Sequence, residues 1–136
     1  MTPKEYLSQA FSIDRKINLD IEKARAMRAS LYGRAVSYES DGSQHVSGDN
    51  HIENAMLKVV EYEEKINAEI DELVNKRLEI EKAIKSVDDE VLQEILTRRY
   101  LQFQKWERIA VEMHLDLRWV YRLHGRALEQ LTIIDH

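Results

Sequence analysis

The chain has 136 residues, of which 43% are hydrophobic, a third are charged and only 7% are aromatic. Four glycines and one proline supply too few turn formers for an all-β sandwich or barrel. The lack of cysteine excludes a disulfide framework, a cysteine-held zinc or iron–sulfur site and a thiol nucleophile. The net charge of −5 is unevenly spread: residues 1–86 carry 13 basic and 16 acidic side chains, whereas residues 97–128 carry seven basic and three acidic ones. Phosphate neutralisation needs local Lys and Arg, so only the C-terminal third has the charge for nucleic acid.

From Pro3 to Tyr32, apolar or small residues recur at Tyr6, Ala10, Ile13, Ile17, Ala24, Met27 and Leu31. The alternation of 4 and 3, with Asp20 in the one skipped slot, predicts an amphipathic helix. Thr2 before Pro3, with Glu5 three residues after it, suits the N-cap. Gly33 to Asn50 is rich in Gly, Ser, Asp and Asn and is expected to be a flexible loop of about 33–50. The stripe returns from His51 to Val87 through Ile52, Met56, Val59, Ile66, Ile70, Leu73, Ile80, Ile84 and Val87, with Glu63 and Arg77 in its polar slots. A helix of that length cannot bury its stripe alone. Its partner is the first helix, folded back as an antiparallel hairpin, or the same helix of a second subunit in a homodimer; the sequence leaves both open.

Asp88-Asp89-Glu90 marks a new helix start, with Ser86 or Asp88 as the expected cap, and three shorter amphipathic segments follow. Within Trp106–Gly125 the apolar residues Ile109, Ala110, Met113, Leu115, Val120 and Leu123 follow a helix-turn-helix pattern. The small Ala110 lets two helices approach, and Asp116 sits where the second helix needs an N-cap. The outward positions are then Leu117, Arg118, Tyr121, Arg122 and Gly125, with Arg126 beside them. Arginines here suit major-groove entry, since a guanidinium binds guanine bidentately. Arg99 and Lys105 fit phosphate contacts from the flanking helices. Trp106 and Trp119 read as core or hinge residues, His114 as a turn residue and His124 as a surface one.

Leu96-x-x-Arg99-Tyr100-Leu101, Trp106-x-x-Ile109-Ala110, Val120-x-x-Leu123 and Ala127-Leu128-x-x-Leu131 together resemble the fourth conserved region of bacterial sigma factors. With its helical N-terminal extension, the chain resembles phage and prophage transcriptional regulators of the ArpU and RinA type. The sigma-like part covers about residues 88–132. The resemblance implies DNA binding and control of phage late genes, with Leu117, Arg118, Tyr121 and Arg122 inheriting the base-reading positions. Two positions depart from the pattern. His114 replaces the usual turn glycine, so a left-handed backbone there carries strain, and Asp116 replaces the usual Ser or Thr cap.

The expectation is therefore an all-α protein: a helical hairpin over 1–87 and a three-helix helix-turn-helix domain over 88–136. It would act as a sequence-specific DNA-binding regulator of phage or prophage genes, reading the major groove with the helix 117–130. Two other readings stay open. One is an adaptor binding RNA polymerase or another regulator with little DNA contact, and the other is a DNA-packaging or structural phage component. No Gly-rich phosphate loop or catalytic triad pattern is present, so no enzyme, cofactor or metal is expected. No apolar run is long enough for a membrane span and no secretory leader is legible, so the expected location is the cytoplasm, away from membranes.

Overall fold

The computed structural model describes residues 1–41 and 46–131, with side chains for all of these except 34–41 and 46–50. Every element among the described residues is a helix: α1 (Pro3–Leu7), α2 (Gln9–Asp41), α3 (Val46–Lys85), α4 (Glu90–Tyr100), α5 (Trp106–Glu112) and α6 (Leu117–Gln130). The protein is all-α, and among the described residues no helix is long and apolar enough to cross a membrane.

The N-terminal stretch does not run as one helix. Thr2 caps α1 as expected, its Oγ1 accepting from the Glu5 N–H at 3.1 Å. At Ser8 the hydroxyl donates to the Lys4 carbonyl at 2.7 Å while the residue keeps φ −77° and ψ −7°. Such back-bonding bends a helix, and α2 resumes one residue later. The loop expected over 33–50 is largely helical, since α2 continues to Asp41 and α3 begins at Val46. Residues 42–45 lie outside the described residues. A run of polar residues signals solvation of a segment, and a solvated helix keeps its backbone hydrogen bonds.

Two compact units divide the chain, residues 15–71 and residues 1–14 together with the chain from residue 72. In the first, α2 and α3 run antiparallel within one chain. Ile17, Ala24 and Leu31 are buried with Val59 and Ile66, and Arg28 grips Glu63 in a two-pronged ion pair (2.9 and 2.5 Å). The α3 stripe turns out slightly rotated from its expected position: Ile70 is exposed and Glu69 is buried in its place. Asp20 of α2 is likewise buried, only 5% exposed. Tyr62 donates to Asp20 Oδ1 at 2.9 Å, but Asp20 Oδ2 and both Glu69 oxygens are buried without a hydrogen-bond partner.

The second unit has one core. Leu7 and Ala10 meet Ile80, Ile84 and Val87 of the α3 end together with Ile95 and Leu96 of α4, Ile109 of α5 and Val120 and Ala127 of α6. The boundary expected between residues 87 and 88 therefore falls inside this unit, because the last apolar residues of the α3 stripe share a core with the helices after it. Ser86 closes α3, its hydroxyl donating to the Ala83 carbonyl at 2.5 Å. The cap of α4 is Asp89, not Ser86 or Asp88: its Oδ1 accepts from the Val91 and Leu92 amides at 2.8 and 3.2 Å.

Candidate nucleic-acid interface

The three C-terminal helices pack as the helix-turn-helix pattern requires. Ala110 is buried where α5 and α6 approach, and Val120, Leu123 and Ala127 form the inner face of α6. The α5–α6 turn closes as a Schellman motif, with Leu115 N–H donating to the Ala110 carbonyl (2.9 Å) and His114 N–H to that of Val111 (3.2 Å). The motif needs a left-handed residue after the helix, and His114 supplies it with φ 56°. A side chain in that basin costs about 1 kcal/mol more than glycine, so the tight turn is kept in spite of its residue. Asp116 stands at the N-cap of α6 with the extended backbone a cap needs, φ −67° and ψ 139°, but its carboxylate makes no capping hydrogen bond.

The preceding α4–α5 turn holds a second left-handed residue, Phe103, also at φ 56°. Its ring packs edge-on to Phe11 (5.5 Å between centroids) and faces the Arg77 guanidinium (5.6 Å). The sequence pattern gave no sign of it.

Several of the basic residues between 97 and 128 are already occupied. Arg98 bonds Glu94 at 2.8 Å and also Glu112, and Glu112 is held by Arg108 at 2.8 Å. The hydrogen bond from Arg108 is the main reason the Glu112 carboxyl lies below the usual carboxylate range. Arg99, expected to touch phosphate, instead lies half-buried over the Trp106 ring at 4.6 Å and donates to the Gln104 carbonyl at 3.0 Å. A guanidinium stacked and hydrogen-bonded in this way is a clamp on the α4–α5 turn, as well as a charge.

The remaining cations are Lys105 at the start of α5 and Arg118, Arg122 and Arg126 on α6. All four are exposed, and among the described residues none pairs with a carboxylate. Arg118 and Arg122 stand one turn apart on the face opposite the core. Arg126 lies 5.4 Å from the Trp119 ring, and Trp119 is 38% exposed, so it belongs to the surface and not to a core or hinge. Tyr121 is also exposed, with its ring edge-on to Trp106 at 5.5 Å. Leu117, expected to point outward, is partly buried against the core and serves packing. Gly125 sits exposed in mid-helix, and a Cβ built there would meet nothing within 4 Å. Glycine costs a helix about 1 kcal/mol relative to alanine, and the fold gains no space from it here.

His124 departs furthest from its expected place. It is buried, not on the surface: its Nε2 shares a 2.7 Å hydrogen bond with Tyr100 Oη, and its ring lies 4.5 Å from that of Trp106. Burial, then the charges of Lys4 and Arg99, pushes its pKa from 6.5 down to about 4, so it is a neutral core group at physiological pH. Burial likewise raises Tyr100 to about 12. The spacing Val120, Leu123, His124, Ala127 could have revealed the burial, since 124 falls on the inner face of the helix. What concealed it was the polar residue type.

No family model matches the chain, and neither a curated protein nor a solved structure matches it.

Proposed function

We propose that the chain is a sequence-specific DNA-binding transcriptional regulator of phage or prophage genes, with α6 entering the major groove. The observation that carries this reading is the outer face of α6. Arg118 and Arg122 lie there on adjacent turns, exposed and without an acidic partner, while nearby Arg98, Arg108 and Arg99 are held by neighbours. Arginines left unpaired on the second helix of a helix-turn-helix are suited to base edges and phosphates. Lys105 and Arg126 flank them and suit phosphate. On this reading the C-terminal helices bind double-stranded DNA, and the N-terminal helices serve assembly or contact with RNA polymerase. The chain is neither an enzyme nor cofactor-dependent, and it works in the cytoplasm.

The test is selection of duplexes from a random-sequence pool with the full-length protein, followed by anisotropy titration at several salt concentrations. Arg118→Ala and Arg122→Ala should each weaken the enriched duplex by about 1–3 kcal/mol if the side chains read bases. A contact to phosphate alone would instead weaken all sequences alike and flatten the salt dependence. Failure to enrich any duplex, with affinity unchanged in both variants, would refute the reading.

A further inference from the structure

The exposed face of α6 carries Arg118, Arg122, Gly125 and Glu129 in succession, at spacings of four, three and four residues. At about 1.5 Å per residue, Gly125 lies roughly 10 Å along the axis from Arg118. Nothing inside the fold asks for a glycine there. A Cβ would meet no atom within 4 Å, and the residue has the ordinary helical backbone, since its φ does not lie in the left-handed range. The glycine is flanked on the surface by Arg122 and Arg126, both cationic and both exposed, and the sign of the face reverses only at Glu129.

From this we propose that Gly125 is a point of direct contact. The helix lies lengthwise against DNA over residues 118–126, and the missing side chain lets the nucleic acid approach the helix backbone between Arg122 and Arg126. The inference rests on the DNA-binding reading and deepens it by fixing a docking mode. A helix that entered the groove by its first turn alone would hold Gly125 clear of the duplex, and any side chain would be tolerated there. Lengthwise docking brings the bare segment into van der Waals contact, where each added methyl must displace DNA or tilt the helix. Glu129 limits the contact at its C-terminal end, because a carboxylate against phosphate is repelled.

The experiment uses the full-length chain, a labelled duplex enriched from a random pool, and the variants Gly125→Ala, Gly125→Leu and Arg118→Ala. Replacing glycine by alanine in an exposed helix should raise the Tm by roughly 3–5 °C. The same change should weaken the duplex roughly three- to tenfold, and leucine should weaken it more than tenfold, as overpacking of a close contact does. A more stable protein that binds less well is the signature of a residue kept for its partner. If Arg118→Ala loses affinity while both Gly125 variants bind like the unmodified chain, the docking mode is wrong and the DNA reading stands. A fall in Tm for Gly125→Ala overturns the proposal too, because the glycine would then serve the fold. If no duplex is enriched and Arg118→Ala changes nothing, the DNA reading fails and the inference fails with it.

Discussion

The imidazole of His124 should make the C-terminal helices sensitive to mild acid, and the size of the effect can be worked out. In the unfolded chain the group titrates near 6.5, whereas in the folded chain its burial between Tyr100 and Trp106 holds it near 4. The folded pKa is the lower one, so the unfolded state takes up the proton first. The contribution to stability is complete above the unfolded value and is lost as pH falls from 6.5 towards 4. At 1.36 kcal/mol per unit, the full loss is about 3 kcal/mol, of which about 2 kcal/mol has gone by about pH 5. The perturbation is His124→Gln, which removes the titrating group and keeps an amide within reach of Tyr100. Urea unfolding of both proteins over a pH series gives the difference in stability, in which carboxylates common to both cancel. That difference should narrow by about 2 kcal/mol between about pH 8 and 5. A difference that stays constant across the series would refute the reasoning, as would a native imidazole found by NMR to titrate near its ordinary value.

Other expectations follow from residues already described. Glu69→Gln should stabilise residues 15–71 at neutral pH. Burial first, and then the adjoining Asp20, raises the Glu69 carboxyl above its ordinary 4.5, so the folded unit loses stability as pH rises through that raised value. The advantage of the variant should vanish as pH falls towards the ordinary value. Asp20, lowered chiefly by its bond from Tyr62, acts in the opposite direction only at still lower pH. Lys65, Lys16 and Lys23 stand near the pair and favour its charged form. A variant less stable than the unmodified chain at neutral pH would show the sign to be wrong. At the α5–α6 turn, His114→Gly should gain up to about 1 kcal/mol and His114→Val should lose about 1–2 kcal/mol, read by urea unfolding. Equal stabilities for the three would contradict a left-handed residue there.

Fold class and the number of C-terminal helices were legible because hydrophobic spacing reports helix faces directly. The Thr2 cap and the strained turn at His114 were legible for a similar reason, since each depends on a few neighbouring residues. Where the structure departs from the sequence pattern the physical cause is shared, because a polar residue type does not by itself report exposure or irregular backbone. The polar stretch after Gly33 is helical over most of its length, and His124 and Glu69 are buried. For His124 the group that accommodates it, Tyr100, lies 24 residues away in sequence, and Glu69 is buried beside Asp20, which is likewise remote along the chain. Ser86, Asp88 and Asp89 all have side chains suited to capping α4, and only the backbone geometry of Asp89 selects among them. On the C-terminal helices, residue type and spacing place Arg118 and Arg122 on the exposed face of α6 but cannot reveal that Arg99 lies on Trp106. That depends on where the α4–α5 turn carries the tryptophan, which is a tertiary fact.

Both turns that frame α5 hold a left-handed residue that is not glycine, Phe103 in one and His114 in the other. For a residue with a side chain that basin is a narrow well, whereas glycine wanders through a broad one. The cost in strain is thus matched by a loss of freedom in the two turns, and that narrows the orientations α6 can take relative to α4 and α5. A surface presented this way loses little conformational entropy on encounter, so more of the contact energy appears as affinity and little is spent on ordering the site.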